Sequence, residues 1–306
     1  MAEKTFDSVK IFKIILIVYL VIFIAAGVFA AIFGISLDIN FKGGTRISYS
    51  YTGDIDEAKV ADAAKEVLDA KFTVSLNKSL AGDTKTVTIS LVGKKSLPAE
   101  TQESLTTKLT ETFKDNKIEL YDSNSVSPSV AGVFFAKSLV AVLITAVLVV
   151  VYIGIRFRKI GGVSAAVTAL CALVLDLLIT FAACIIFRLQ IDSNDIAVVL
   201  TILGYSLNDT IVVYDRIREN RKLLPTAEIH DLVNISTTQS MTRSFRTTIT
   251  TVATMIIISI VAYMRGVTSI LSFSIPISVG MIVGTYSSLC LAPSLWVSMQ
   301  KAKKSA

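Results

Sequence analysis

The stretch GYSLNDTIVVYDRIRENR, residues 204–221, starts inside a hydrophobic run that opens near Ile196 and ends in a dense cluster of charge. A helix crossing a bilayer keeps apolar side chains out of water, yet this one carries Asn208 and Asp209 side by side. An ionised carboxylate at the centre of such a helix costs roughly 2.5–3.5 kcal/mol on insertion scales. Helical spacing gathers Thr201, Tyr205, Asn208 and Asp209 on one side, which points them at a partner helix and away from lipid. The run 240–254 offers a receiving stripe, because Arg243, Thr247, Thr250, Thr251 and Thr254 share one face there.

The rest of the chain fits a membrane protein. Of its 306 residues 53% are hydrophobic and the mean hydropathy is +0.66, too apolar for a water-soluble globule. Charges fall in blocks between apolar runs, the polytopic pattern. The net charge of +6 places basic residues at helix ends, so it points to membrane retention and not to nucleic acid. Cys171, Cys184 and Cys290 lie in apolar runs without metal-ligand spacing and read as small buried hydrophobes.

Ile11 to Phe33 is the first span, preceded by Lys4, Lys10 and Lys13 and lacking a signal-peptide cleavage pattern. Residues 37–51 read as a strand interrupted at Gly43-Gly44, and a helix begins at Asp54 and runs to about Ala70. Strands 72–76 and 84–92 flank the turn 81–83. A second helix capped by Ser96, with Pro98 in its first turn, runs to about Lys114, and a last strand covers 118–126. The order β-α-β-β-α-β predicts a ferredoxin-like α+β domain. It holds no His, no Cys and no phosphate-cradling glycine motif.

Further spans are expected near 133–155, 163–187, 196–214, 247–263 and 270–297. The division is therefore residues 1–35 for a cytoplasmic N-terminus and first helix, 36–128 for the α+β domain, 129–299 for five more helices and 300–306 for a tail. Arg156, Arg158, Lys159, Arg216, Arg218, Arg221, Lys222, Arg243 and Arg246 collect on one side with the terminal lysines, against Arg188 and Arg265 on the other. By the positive-inside rule both termini are cytoplasmic and the domain extracytoplasmic.

Asp209 and Arg243 fall at similar depth on facing helices, where they would form a buried pair. Burial disfavours an ionised carboxyl and a guanidinium favours it, so a small rearrangement switches protonation. The pair is either a proton carrier or a static salt bridge that fixes packing. Asp176 in the third span is expected in the outer half, off the level of Asp209, as a relay or a neutral hydrogen-bonded acid. Asp192 and Asp195 read as outer-loop residues, Asp215, Arg216, Arg218 and Glu219 as interfacial ion pairs, and His230 as solvated. Gly280 and Gly284 make a close-packing GxxxG face. No GxxxxGK[ST] motif is present, so the chain is not expected to hydrolyse ATP itself; no cofactor, metal site or enzyme activity is expected either.

GYSLNDTIVVYDRIREN (204–220), NISTTQSMTRSFRTTITT (234–251), FKGGT (41–45) and VSPSVAG (126–132) resemble, in order and spacing, motifs of the SecF family of bacterial protein-export membrane proteins. The resemblance implies a six-span, RND-like half-bundle that pairs with SecD, associates with the SecYEG channel and uses proton-motive force after the ATP-driven motor SecA. YajC, YidC, an unfolded preprotein and membrane lipid are the other partners it implies. Asp209 and Arg243 match the family's fourth-span acid and fifth-span arginine of proton conduction, with Asn208, Tyr205 and Thr247 as a supporting polar face. Asp176 matches the acid of a His-Asp pair whose first member is here Leu175, and Ser127 replaces a glycine usual before Pro128. The rival of different class is an RND-type proton-coupled exporter of small molecules or lipids, which normally needs two fused halves with larger outer domains.

Overall fold

The computed structural model describes residues 8–70, 72–78, 85–93 and 97–305. Helix α1 (Ser8–Phe33) is apolar from Ile11 onward, and Ile17, Leu20 and Ile24 stay 58–61% exposed. A surface of that kind belongs against lipid.

Where one strand is expected over 37–51, the chain first makes a helical turn, α2 (Ile39–Lys42). Asp38 causes it. Its carboxylate accepts the Asn40 N–H at 2.9 Å and pairs with Arg46, and Gly43 closes the turn at φ 77°. That conformation is strained for any residue with a Cβ. Strand β1 (Gly44–Tyr51) then starts so close to β3 that a Cβ on Gly44 would strike the Leu91 carbonyl.

Helix α3 (Glu57–Val67) begins after Asp56, whose side chain accepts from Ala58 N at 3.0 Å, three residues inside the expected start. β2 (Phe72–Lys78), β3 (Lys85–Val92), α4 (Ala99–Thr112) and β4 (Glu119–Val126) follow. Pro98 occupies the N-cap of α4; the expected cap Ser96 and turn 81–83 lie outside the described residues. Strand order is β2-β3-β1-β4 with every neighbour antiparallel, the ferredoxin-like arrangement of a βαββαβ chain. Alternation turns Ile47 and Tyr49 of β1 and Val87 and Ile89 of β3 inward, against Val60, Ala64, Leu105 and Leu109 of the helices. Each such apolar side chain contributes about 1.5–3 kcal/mol by leaving water.

Helix α5 (Pro128–Arg156) takes Pro128 in its first turn, where a missing N–H does no harm, and Ser127 as its N-cap. α6 (Gly162–Ile186), α7 (Asn194–Leu223), α8 (Ile229–Arg265), α9 (Thr268–Tyr286) and α10 (Ala292–Ser305) complete the bundle, a π turn at Ser287–Leu291 joining the last two. Among the described residues six helical runs are long and apolar enough to cross a membrane. α7 and α8 reach well past the expected 196–214 and 247–263. Their polar turns continue the helix out of the apolar layer, where hydropathy alone cannot follow it. The run expected over 270–297 divides at the π turn. The small domain is seated on the α6–α7 loop, where Asp38 N donates to Ile191 O and Ile191 N to Ser36 O, both at 2.9 Å.

Candidate functional site

Two acids sit inside the bundle. Asp176 on α6 is fully buried, and its Oδ2 accepts Ser206 Oγ of α7 at 2.6 Å and Ser287 Oγ of the π turn at 2.8 Å. From Ser206 the hydroxyls continue: Ser288 Oγ donates to Ser206 O at 2.9 Å and meets Thr210 Oγ1 at 2.8 Å. One turn further along α7 the buried Tyr214 hydroxyl meets Thr168 Oγ1 of α6 at 2.8 Å. Ser206, Thr210 and Tyr214 are four residues apart, so they form one row facing α6 and the last helical run. Asp176 Oδ1 and the hydroxyl of Tyr19 are buried without a hydrogen-bond partner among the described residues. π turns recur at functional sites, and here the turn delivers two of the hydroxyls.

The small residues of the GxxxG face make this approach geometrically possible. A Cβ on Gly280 would run into the Ile202 side chain and come within 3.1 Å of Thr180 Oγ1; one on Gly284 would lie 3.0 Å from Ser206 Cβ. The α9 backbone therefore lies directly on α7, which brings Ser287 to Asp176.

Asp209, also buried, has a different setting. Ser244 of α8 and Thr285 of α9 lie against its carboxyl, with Arg243 close enough to act on its charge. Its Oδ2 nevertheless makes no hydrogen bond among the described residues, and neither does Ser244 Oγ. Tyr205 donates to Thr248 Oγ1 at 3.0 Å, and Thr248 meets Thr285 Oγ1 at 2.6 Å, closing one side of the site.

The expected buried Asp209–Arg243 salt bridge is not formed. Arg243 has no acidic partner within ion-pair distance among the described residues. It lies on an open face together with Asn208 and Thr247, which are also exposed. The reason is which side of α8 packs. Ser240, Ser244, Thr248 and Val252 recur every four residues and turn inward, because small side chains allow close helix approach. The Arg243, Thr247, Thr250 and Thr254 stripe, expected to receive α7, therefore faces outward. Thr201 is likewise exposed and its hydroxyl bonds back to Ala197 O at 2.7 Å. A cleft of about 580 Å³ opens beside Asn208, Asp215, Gln239, Ser240 and Arg243.

The depth expected for Asp176 is corrected too. It lies 14 residues after Gly162, the start of α6, and Asp209 lies 14 residues before Leu223, the end of α7. The Ser206–Asp176 bond places the two acids within one turn of each other. The difference arises because α7 runs on to Leu223, past the expected end of the fourth span at 214.

Elsewhere, Asp192 and Asp195 form the entry to α7, Asp195 Oδ2 accepting Asp192 N at 2.6 Å. Asp215 pairs with Arg156 at 3.1 Å and Arg218 at 2.6 Å, and Arg216 with Glu219 at 2.6 Å, the interfacial ion pairs expected. His230 Nδ1 lies 3.6 Å from Asp231. Cys184 and Cys290 are buried, whereas Cys171 faces outward, against expectation. No cluster of three or more metal-ligating side chains occurs among the described residues. Ser206, Thr210, Ser287, Ser288 and Ser244 were missed by sequence reasoning. Their signal is the four-residue spacing of hydroxyls inside apolar runs.

The description "protein export membrane protein SecD/SecF, C-terminal" matches residues 105–302, well over half of the chain. The chain belongs to the SecD/SecF family of protein-export membrane proteins. Protein translocase subunit SecF of Alicyclobacillus acidocaldarius is 33% identical over 99% of this chain and 97% of its own length. Protein translocase subunit SecDF of Bacillus subtilis is 38% identical over 61% of this chain and 25% of its own. The crystal structure of SecDF from Thermus thermophilus, described as a translocon-associated membrane protein, superposes with a TM-score of 0.79 at 25% identity. That match covers 98% of this chain and 39% of the SecDF chain. The six-helix bundle with its antiparallel α+β domain is thus the family fold, and the protein is a membrane protein.

Proposed function

We propose that this chain is an accessory subunit of the Sec translocase that pairs with a SecD-type half and uses proton-motive force late in preprotein export. The observation that carries the reading is the unfinished site at Asp209. A buried carboxyl oxygen has no hydrogen-bond partner among the described residues while Arg243, Asn208 and Thr247 stand uncovered on the adjoining face. An intramembrane cation on a lipid-facing surface is costly, so a second half-bundle covering that stripe is the economical completion. The fused SecDF relatives support this, since each is far longer than the segment matched here.

Proton binding at Asp209 would change how strongly Arg243 is held, and thereby the fit of the two halves. A unit charge crossing 100 mV releases about 2.3 kcal/mol, enough to bias a two-state element. Asp176 and its hydroxyl row serve as the relay station within the chain. The basic residues Arg156, Arg158, Lys159, Arg221 and Lys222 cluster at the ends of α5 and α7, opposite the small domain, which supports cytoplasmic termini in the bacterial cytoplasmic membrane and an extracytoplasmic domain. SecYEG, SecA, YajC and YidC belong to the same proposal as the channel, motor and auxiliary partners, with the preprotein as cargo.

Photocrosslinkers at Thr247 and Thr250, in cells expressing a SecD partner, test the pairing. Adducts to that partner are expected; adducts to lipid alone contradict it.

A further inference from the structure

At the end of the bundle away from the small domain, a cleft of about 550 Å³ is lined by Ile155, Arg156, Arg158, Lys159, Arg218 and Lys222. Five cations from three elements, the end of α5, the 3₁₀ turn after it and the end of α7, converge on one space. Among the described residues a single carboxylate answers them. Asp215 holds Arg156 and Arg218 by ion pairs at 3.1 and 2.6 Å, and both guanidiniums also sit 6.0 Å from the centre of the buried Phe157 ring. These two are fixed in place. Arg158, Lys159 and Lys222 have no acidic partner among the described residues.

Charge retention on loops requires only cations near a helix end; it does not require them to share a cleft. The surroundings name the ligand. Ile155, at the rim, ends an exposed stripe on α5 that runs back through Val151, Leu148 and Ile144, with exposures of 66%, 51%, 63% and 54%. Spacing of three and four residues keeps the stripe on one face. A phosphate-bearing headgroup that entered the cleft with its acyl chain along α5 would satisfy both features at once.

We infer that this cleft is a binding site for the headgroup of an anionic phospholipid, with Arg158, Lys159 and Lys222 as the free phosphate-binding cations and the α5 stripe as the acyl track. Arg156 and Arg218, set by Asp215 and Phe157, give the floor its shape. Excess positive charge favours a headgroup with two phosphates over one.

The test is native mass spectrometry of the full chain with cardiolipin, phosphatidylcholine or inorganic pyrophosphate. Each cation near an anionic headgroup contributes about a fivefold preference, so Arg158→Gln/Lys159→Gln/Lys222→Gln should lower the cardiolipin-over-phosphatidylcholine preference by at least about tenfold. Lys159→Arg/Lys222→Arg, which keeps the charge, should retain it, as should Lys59→Gln/Lys65→Gln/Lys117→Gln in the small domain. The inference is overturned if the first variant binds cardiolipin like the parent, or if either of the other two loses it equally. It is also overturned if pyrophosphate alone binds as tightly as the lipid, because the acyl track then has no part.

Discussion

Asp176 on α6 and Asp209 on α7 lie within a turn of each other in depth and both are buried, and each keeps one carboxyl oxygen without a hydrogen bond among the described residues; they differ in what surrounds the rest of the carboxyl. Asp176 has two hydroxyls at 2.6 and 2.8 Å supplied by α7 and the π turn. Asp209 has the hydroxyls of Ser244 and Thr285 beside it, and its neighbour Asn208 lines a cleft edged by Arg243, which has no acidic partner among the described residues. A buried polar group without a partner costs about 1–3 kcal/mol, and native proteins keep such groups where a ligand, a proton or a partner completes them. The first acid ties α6, α7 and the π turn together, and the second adjoins an uncovered face.

The contrast breaks most readily on stability. Asp176→Ala strands two buried donors, for an expected loss of about 2–4 kcal/mol, whereas Asp209, whose Oδ2 has no hydrogen bond among the described residues, should lose less on the same change and stay within about 1 kcal/mol of the parent. Thermal unfolding of the two purified variants decides it; equal losses would erase the distinction. Next in size is the packing that delivers Ser287. Gly280→Ala forces Ile202 aside and should cost about 1–3 kcal/mol. Gly204→Ala on α7, where an added Cβ meets nothing within 4 Å, should be neutral or slightly stabilising through helix propensity, by up to about 1 kcal/mol. The same melts compare them.

Arg243→Gln sharpens the other half. On an open face it should change the isolated chain's stability by less than about 0.5 kcal/mol, while co-purification of a SecD partner falls by roughly tenfold. A large loss of stability without loss of the partner would make Arg243 an internal strut.

How much of this was legible follows from the same residues. The six spans and the βαββαβ domain were readable because apolar runs and strand alternation are local signals. Asp209, Asp176 and Arg243 were readable as candidates because charge in an apolar run has few innocent explanations. Their geometry was not. Polar turns let α7 run on to Leu223 and α8 start at Ile229, which sets Asp209 deeper from its helix end and level with Asp176. The face of α8 that packs is chosen by side-chain size, so Ser240, Ser244 and Thr248 took the place assigned to Arg243. The π turn depends on packing against α7 and leaves no pattern in the sequence.

The smallest effect lies in the α+β domain. Burial raises Tyr49 above the ordinary value of 10.0, opposed by its bond to Thr106. A group raised on folding contributes fully below its unfolded value and loses that contribution as pH rises through the folded one. Domain stability should therefore decline from about pH 10 upward, and Tyr49→Phe should soften the decline. Tyrosinate absorbance of parent and variant checks this; titration of Tyr49 like a free phenol would contradict it.

The central claim is that the half-finished site at Asp209 couples the proton gradient to export. Its most direct test is gradient-dependent preprotein export in inverted membrane vesicles carrying the complete translocase, parent against Asp209→Asn at equal expression. The account predicts that late export loses its dependence on the gradient while the partner stays bound. Unchanged gradient dependence in the variant would contradict it and leave Asp209 a packing residue.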